Sequence, residues 1–210
     1  MIRKILYKAR RSIDFYSSRL RGYLLFNSSN IKIEHDVKIP FPETLEFEGI
    51  CELKAHSQIK TSKDSKIVFG DNTMICSYTT LEAAGGFIKL GKNIIVGEYS
   101  TIQGQGGVII EDNVLLASHV HIIPNNHEYR DVNVPVKYQP NNAKQITIKE
   151  DTWIGINVVI LTGVTIGKHC IIGSGSIVKN DIPDYSIAVG VPARVVKKYD
   201  FVQKEWINIK

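Results

Sequence analysis

The feature that most constrains this chain is a beat of six. Apolar side chains recur at Phe69, Ile75 and Leu81, at Leu90, Val96 and Ile102, and at Ile110, Leu116 and Ile122. The beat resumes at Ile148 and runs through Ile154, Ile160, Ile166, Ile172 and Val178. The next residue is often small, as at Gly70, Gly91, Gly97, Ala117, Gly155, Gly167 and Gly173. Four positions after the apolar residue stands another small or β-branched side chain: Thr73, Val114, Val120, Thr152, Val158, Val164 or Ser176. A helix repeats every 3.6 residues and a half-buried strand every two. A period of six fits three short flat strands per turn, joined by corners where small residues relieve backbone crowding. The apolar residues then stack inside a triangular prism, and each coil bonds the next at the ~4.8 Å sheet spacing. An ordinary sandwich would not hold this phase so long. The expected fold class is an all-β solenoid.

Departures from the beat mark loops. Leu81 to Leu90 is nine, Ile102 to Ile110 is eight, and Ile122 to Ile148 is twenty more than six. Residues 31–68 look rougher, with Val37, Ile39, Ile59 and Ile67 suggesting one irregular first coil. The chain leaves the repeat through Pro183 and Pro192, and the spacing predicts a short closing helix over 195–209. Three segments result: 1–30 as a basic amphipathic helix, 31–182 as the solenoid with a loop at 123–147, and 183–210 as a C-terminal tail.

Charge narrows the partners. Of the net +5, residues 1–22 supply seven basic side chains (Arg3, Lys4, Lys8, Arg10, Arg11, Arg19, Arg21) against Asp14, a net of +6. The remainder therefore sums to −1 (+5 minus +6). A nucleic-acid surface would spread basic residues over the fold, so none is expected. The same segment carries helically spaced apolar residues, Ile2, Ile5, Leu6, Ala9, Ile13, Tyr16, Leu20 and Leu24. Such a helix suits a neighbouring subunit or, through residues 1–26, an anionic membrane surface. No run approaches the ~20 apolar residues of a membrane span, and the start is too charged for a secretory leader. Cys51, Cys76 and Cys170 are too scattered for a disulfide framework or a metal cluster. A soluble, cytoplasmic protein is expected, with possible placement at the inner face of the membrane.

The stretch "ITIKEDTWIGINVVILTGVTIGKHCIIGSGSIVKNDIPDYSIAVGVPARVV" resembles the C-terminal signature of the hexapeptide-repeat acyltransferases. Within them it is most similar to the maltose/galactoside O-acetyltransferase branch and its relatives in polysaccharide gene clusters. The resemblance covers about 69–197. It implies a left-handed parallel β-helix, an exception to the usual right-handed crossover. It also implies a homotrimer with acyl-CoA sites between subunits, acetyl-CoA as donor substrate, and no metal.

The 123–147 loop is long for a compact domain, and solenoids build sites from such loops. Its "NNHEY" holds His127, and an imidazole, ordinarily titrating at ~6.5, suits proton abstraction near neutrality. In the resembled family a histidine of this loop deprotonates the acceptor hydroxyl, so His127 is the expected general base. Asn126 and Glu128 are both candidates to orient it. The resemblance places Trp153 in the acceptor and pantetheine channel. Gly155, Ser174 and Gly175 match positions along the pantetheine arm, and Lys179 and Arg194 match the phosphate-contacting cations. The usual Thr-Lys-Asp is here Lys179-Asn180-Asp181, which shifts one cation by a residue. Where the galactoside branch has a sugar-holding asparagine stands Tyr99, with Gln103 and Gln105 nearby. A glycan or polysaccharide precursor is therefore the expected acceptor. His119 and His121 are expected to point outward from one strand near that groove. His35, His56 and His169 are expected to be surface residues without companions. Three alternatives stand beside O-acetyl transfer: N-acylation of an amine, a non-catalytic hexapeptide-repeat scaffold, and a γ-class carbonic-anhydrase-like metalloenzyme. The histidine pattern fits the last poorly.

Overall fold

The computed structural model describes residues 17–209. The chain winds through three parallel faces in turn, forming a left-handed β-helix. Face A stacks Ile31–Ile33, Cys51–Leu53, Thr73–Ile75, Ile95–Val96, Leu115–Leu116, Trp153–Ile154 and Ile171–Ile172. Face B stacks Gln58–Lys60, Thr80–Glu82, Thr101–Gln103, His121–Ile123, Val159–Leu161 and Ile177–Val178. Face C stacks Leu45–Phe47, Lys66–Phe69, Phe87–Leu90, Val108–Ile110, Ile146–Ile148 and Thr165–Ile166. All fifteen apolar residues of the beat are at most 1% exposed. Their small companions Thr73, Val114, Val120, Thr152, Val158, Val164 and Ser176 are buried as well, at the corners. Thr73 Oγ1 donates to Gly70 O at 2.7 Å and Thr152 Oγ1 to Gly167 O at 3.0 Å, so a hydroxyl inside a corner answers a backbone carbonyl.

The beat starts earlier than expected. Residues 31–68 form two coils, not one: Phe47, Leu53 and Ile59 lie in register with Phe69, Ile75 and Leu81. A ten-residue step from Ile59 to Phe69 hides this phase in the sequence. That step and the others of unusual length all fall at one edge, the corner between faces B and C. At the A–B and C–A corners every step from Phe69 to Val178 is six.

The predicted C-terminal helix is absent. Ser186–Gly190 adds to face A, then Ala193–Asp200 and Glu205–Asn208 follow as an antiparallel meander. The last coil leaves an open row of backbone donors and acceptors, and strands satisfy it where a helix could not. Val195 and Val196 favour extended backbone. Asp200 Oδ1 accepts from the backbone N–H groups of Val202 and Gln203 at 2.7 and 2.9 Å, fixing the second turn.

At the other end residues 17–26 are helical. Ser18 and Gly22 are the buried residues of that turn, and a Cβ on Gly22 would lie 1.8 Å from Ile31 O. Arg21 Nε donates to Ile33 O at 2.7 Å. Leu20 and Leu24, the last two residues of the expected apolar stripe, face away from the prism, with Leu24 73% exposed. Residues 1–16 of the predicted helix lie outside the described residues.

Candidate active site

The long loop leaves face B after Ile123 and rejoins face C at Ile146. Its doorway is tied to the coil above. Thr162 Oγ1 donates to Pro124 O at 2.7 Å, and Lys144 N–H donates to the same carbonyl at 2.8 Å. From the doorway rises a short antiparallel hairpin of Asn125–His127 and Asn141–Ala143, with His127 opposite Asn141. Gln105 of the coil below accepts a hydrogen bond from Asn125 Nδ2. Farther out, Gln139 is buried under the loop. Its Nε2 donates to Asp131 O and Val134 O, both at 2.8 Å, and closes the tip beside the 3-10 turn Val136–Tyr138. Thr162, Lys144 and Gln139 hold the loop, and sequence reasoning did not single them out. The step of six from Ile160 to Ile166 gave no hint that Thr162 serves the neighbouring coil.

His127 is exposed at the hairpin end. Among the described residues no hydrogen bond, ion pair or ring contact holds its imidazole. Glu128 is engaged elsewhere: its Oε1 lies 3.4 Å from Arg130 Nε and accepts from Tyr129 N–H at 3.1 Å. Neither Glu128 nor Asn126 bonds the ring, so among the described residues the His127 imidazole has no orienting partner. The loop tip exposes Tyr129, Val132, Val136 and Tyr138, an apolar surface in search of cover.

The remaining site residues fall into two groups at opposite edges of face B. One gathers at the B–C edge: His127, Asn126, Glu128, Gln105, the outward Gln103, and Lys179 in the turn after Ile177–Val178. Gln103 Oε1 is buried with no donor among the described residues, a cost of roughly 1–3 kcal/mol. The other group gathers at face A and the A–B corner. Trp153, 50% exposed, lies in register between Leu115 and Ile171. A Cβ on Gly155 would lie 2.7 Å from Ser174 N, which places these two residues in contact. Gly175 N–H donates to Ile156 O at 2.8 Å, and Gly190 N–H to Ser176 Oγ at 3.0 Å. That bond brings the tip of the C-terminal hairpin, with Arg194 opposite Val189, to the same corner. Tyr99 is there too. The two cations expected to share a nucleotide thus stand at different edges. Neither Lys179 nor Arg194 has a carboxylate partner among the described residues, so both are available to phosphate.

Tyr99 belongs to a column the sequence did not suggest. At successive A–B corners His56, Tyr78, Tyr99 and His119 stack with ring centroids 4.8, 5.0 and 5.1 Å apart, and His35 meets His56 edge to face at 5.2 Å. His56, Tyr78, Tyr99 and His119 all have φ near +60°, so the prism dictates one backbone shape at each corner. Two expectations change. His119 sits at the corner before His121–Ile123, not on the strand with His121, although both point outward. His35 and His56 are companions of one another, and His169 packs near Tyr185 with ring centroids 5.7 Å apart.

Outside the prism, the faces differ. The outward row of face A runs Met74, Ile95, Leu115, Trp153, Ile171 and Ile187 in register, an apolar stripe. Face C presents Glu46, Val68, Lys89, Ile109, Thr147 and Thr165. Burial pushes the thiols of Cys51, Cys76 and Cys170 above their ordinary range, so none is poised as a thiolate nucleophile.

Known proteins share this architecture. The family model for the bacterial transferase hexapeptide (six repeats) matches residues 145–180. WbbJ of Escherichia coli, named "Putative lipopolysaccharide biosynthesis O-acetyl transferase", is 32% identical over 151 residues, covering 68% of this chain and 77% of WbbJ. A protein of Mycobacterium tuberculosis named "Probable acetyltransferase" is 40% identical over 118 residues. That match covers 56% of this chain but 39% of the relative, so the chain spans about two fifths of that longer protein. Among solved structures, a point mutant of AntD, an N-acyltransferase from Bacillus cereus, in complex with dTDP and coenzyme A, superimposes with a TM-score of 0.61. Its sequence identity is 21%, covering 73% of this chain and 86% of that one. The period of six, the three parallel faces and the extent of the WbbJ match agree, and the chain belongs to the hexapeptide-repeat transferase family.

Proposed function

We propose that this protein is an acetyltransferase that moves an acetyl group from acetyl-CoA to a hydroxyl of a sugar or polysaccharide precursor, with His127 as general base. The observation that carries this reading is the imidazole itself: exposed, unpartnered, and held on a hairpin stapled to the solenoid. A neutral ring nitrogen takes the acceptor hydroxyl's proton as its oxygen attacks the thioester carbonyl. When the tetrahedral intermediate collapses, the C–S bond breaks and the imidazolium returns the proton to the CoA sulfur. This needs a base, a donor for the oxyanion and positioning, and no covalent enzyme intermediate. The names of the relatives support acetyl transfer, WbbJ's name supports an O-acetyl product in glycan assembly, and a cytoplasmic setting suits both substrates.

The division of the site residues argues for a homotrimer. The half-site at the B–C edge of one prism would meet the Trp153, Ser174 and Arg194 half-site of its neighbour. The apolar stripe of face A and the exposed loop tip would be covered together. Lys179 and Arg194 would then grip one nucleotide from two subunits, and a partner residue would orient His127. The outward Leu20 and Leu24 would pack on a subunit or touch an anionic membrane surface.

N-acylation is the second reading, favoured by the fold shared with an N-acyltransferase. The same base would serve an amine. Thiol release from acetyl-CoA against matched panels of sugars, lipid-linked glycans and amino sugars separates the readings. Turnover on amino sugars alone replaces the first with the second, and none on any acceptor sinks both in favour of a scaffold.

A further inference from the structure

The column of rings at the A–B corner ends, at the first two coils, in a cluster far along the prism from Trp153 and Arg194. His35 and Asp36 form the corner of the first coil, and His56 stands directly above on the second. One ligand atom from each of the three lies within 4.8 Å of the others. His56 Nδ1 is 3.7 Å from Asp36 Oδ2, and the two imidazoles meet edge to face at 87°. The backbone fixes this arrangement. Asp36 and His56 are held at φ of 58° and 62°, and His56 N–H donates to His35 O at 3.2 Å. On its other side the His56 ring stacks on Tyr78, which limits its rotation. The neighbouring cation Lys54 is occupied by Glu34 and Glu52 at 3.3 and 2.7 Å and does not intrude.

We propose that His35, Asp36 and His56 form a divalent transition-metal site of the Zn2+ type, with solvent completing the coordination. Two imidazoles and one carboxylate are the donor set such ions take, whereas Mg2+ and Ca2+ need more oxygen ligands. Tetrahedral ligands at ~2.1 Å stand roughly 3.4 Å apart, so the three atoms must close by about an ångström. Small side-chain rotations of the exposed His35 and Asp36 supply that. The site's role is mechanical. An end coil pairs with another coil on one side only and is the first to fray, and an ion shared by both coils binds the folded end and not the frayed one. It takes no part in acyl transfer.

The test uses the full chain stripped with chelator, with ZnCl2 as the probe in calorimetry and thermal unfolding. One Zn2+ per chain is expected, with a rise in the unfolding midpoint, and no comparable uptake of MgCl2 or CaCl2. His35→Ala and His56→Ala should each weaken Zn2+ binding by more than about tenfold and abolish the thermal shift. Asp36→Asn, nearly the same size, should do the same if either alanine variant fails to fold. A His119→Ala/His121→Ala double variant should keep both effects. No Zn2+ uptake by the wild type overturns the proposal. So does uptake that survives in His35→Ala, His56→Ala and Asp36→Asn, or that disappears with His119 and His121.

Discussion

The prism and its loop hold their shapes by opposite means. Inside the coils Ile154 has no exposed surface, and its neighbours in register, Leu116 and Ile172, have none either. Apolar contact does most of the holding there, and the few polar side chains inside, such as Thr73 and Thr152, only answer corner carbonyls. The loop from Pro124 to Lys144 has almost no apolar interior. It is held by Thr162 on Pro124, Gln105 on Asn125, and the single buried amide of Gln139. A scaffold can be stiff and chemically inert, while a reacting group must stand in solvent and still be aimed. Directed hydrogen bonds do the second task at little cost to the first.

This contrast can be broken by substitution. The largest effect should come from His127→Ala. Thiol release on the best acceptor should fall ~10²–10⁴-fold with CoA affinity nearly unchanged, because only proton transfer is lost. Its thermal midpoint should match the wild type. Ile154→Ala should show the reverse, losing ~2–5 kcal/mol in denaturant unfolding through a cavity between coils. Arg194→Ala and Lys179→Ala should each weaken CoA binding about tenfold without unfolding the protein. In a mixture of the two single variants, subunit exchange should restore some sites with both cations if those cations act from neighbouring subunits. Equal weakening in every mixture would place them in one chain. The smallest effect is expected from Thr162→Val, about 1 kcal/mol or less in global stability, with a measurable loss of kcat as the doorway loosens. An unchanged kcat would show that the hairpin is aimed from elsewhere.

Much of the prism was legible because its rule is local and repeated. Each corner asks for the same residue types, and fifteen positions voted alike. Legibility failed where the rule met something non-local. Phe47, Leu53 and Ile59 keep the beat, but the ten-residue step to Phe69 concealed it. Residues 195–209 have helix-like spacing, yet the open end of face A made pairing cheaper than helix formation. His127 was legible as a loop imidazole matched to a family position. Its lack of an orienting partner was not, since Glu128 could have turned to either neighbour and turned to Arg130. The separation of Lys179 from Arg194 was hidden for a simpler reason: fourteen residues of chain cross from one corner to another between them.

The uneven steps at the B–C edge also say how such a molecule can change. There the steps range from six to twenty-six residues, and every interior contact above and below stays in register. At the other two corners an inserted residue would slide the strands above it and turn buried side chains outward. The edge that carries His127 is therefore where segments can be grafted, lengthened or exchanged with the scaffold indifferent to the outcome. Insertions along that one seam change what surrounds His127 while Trp153, Ser174 and Arg194 at the opposite edge keep their places.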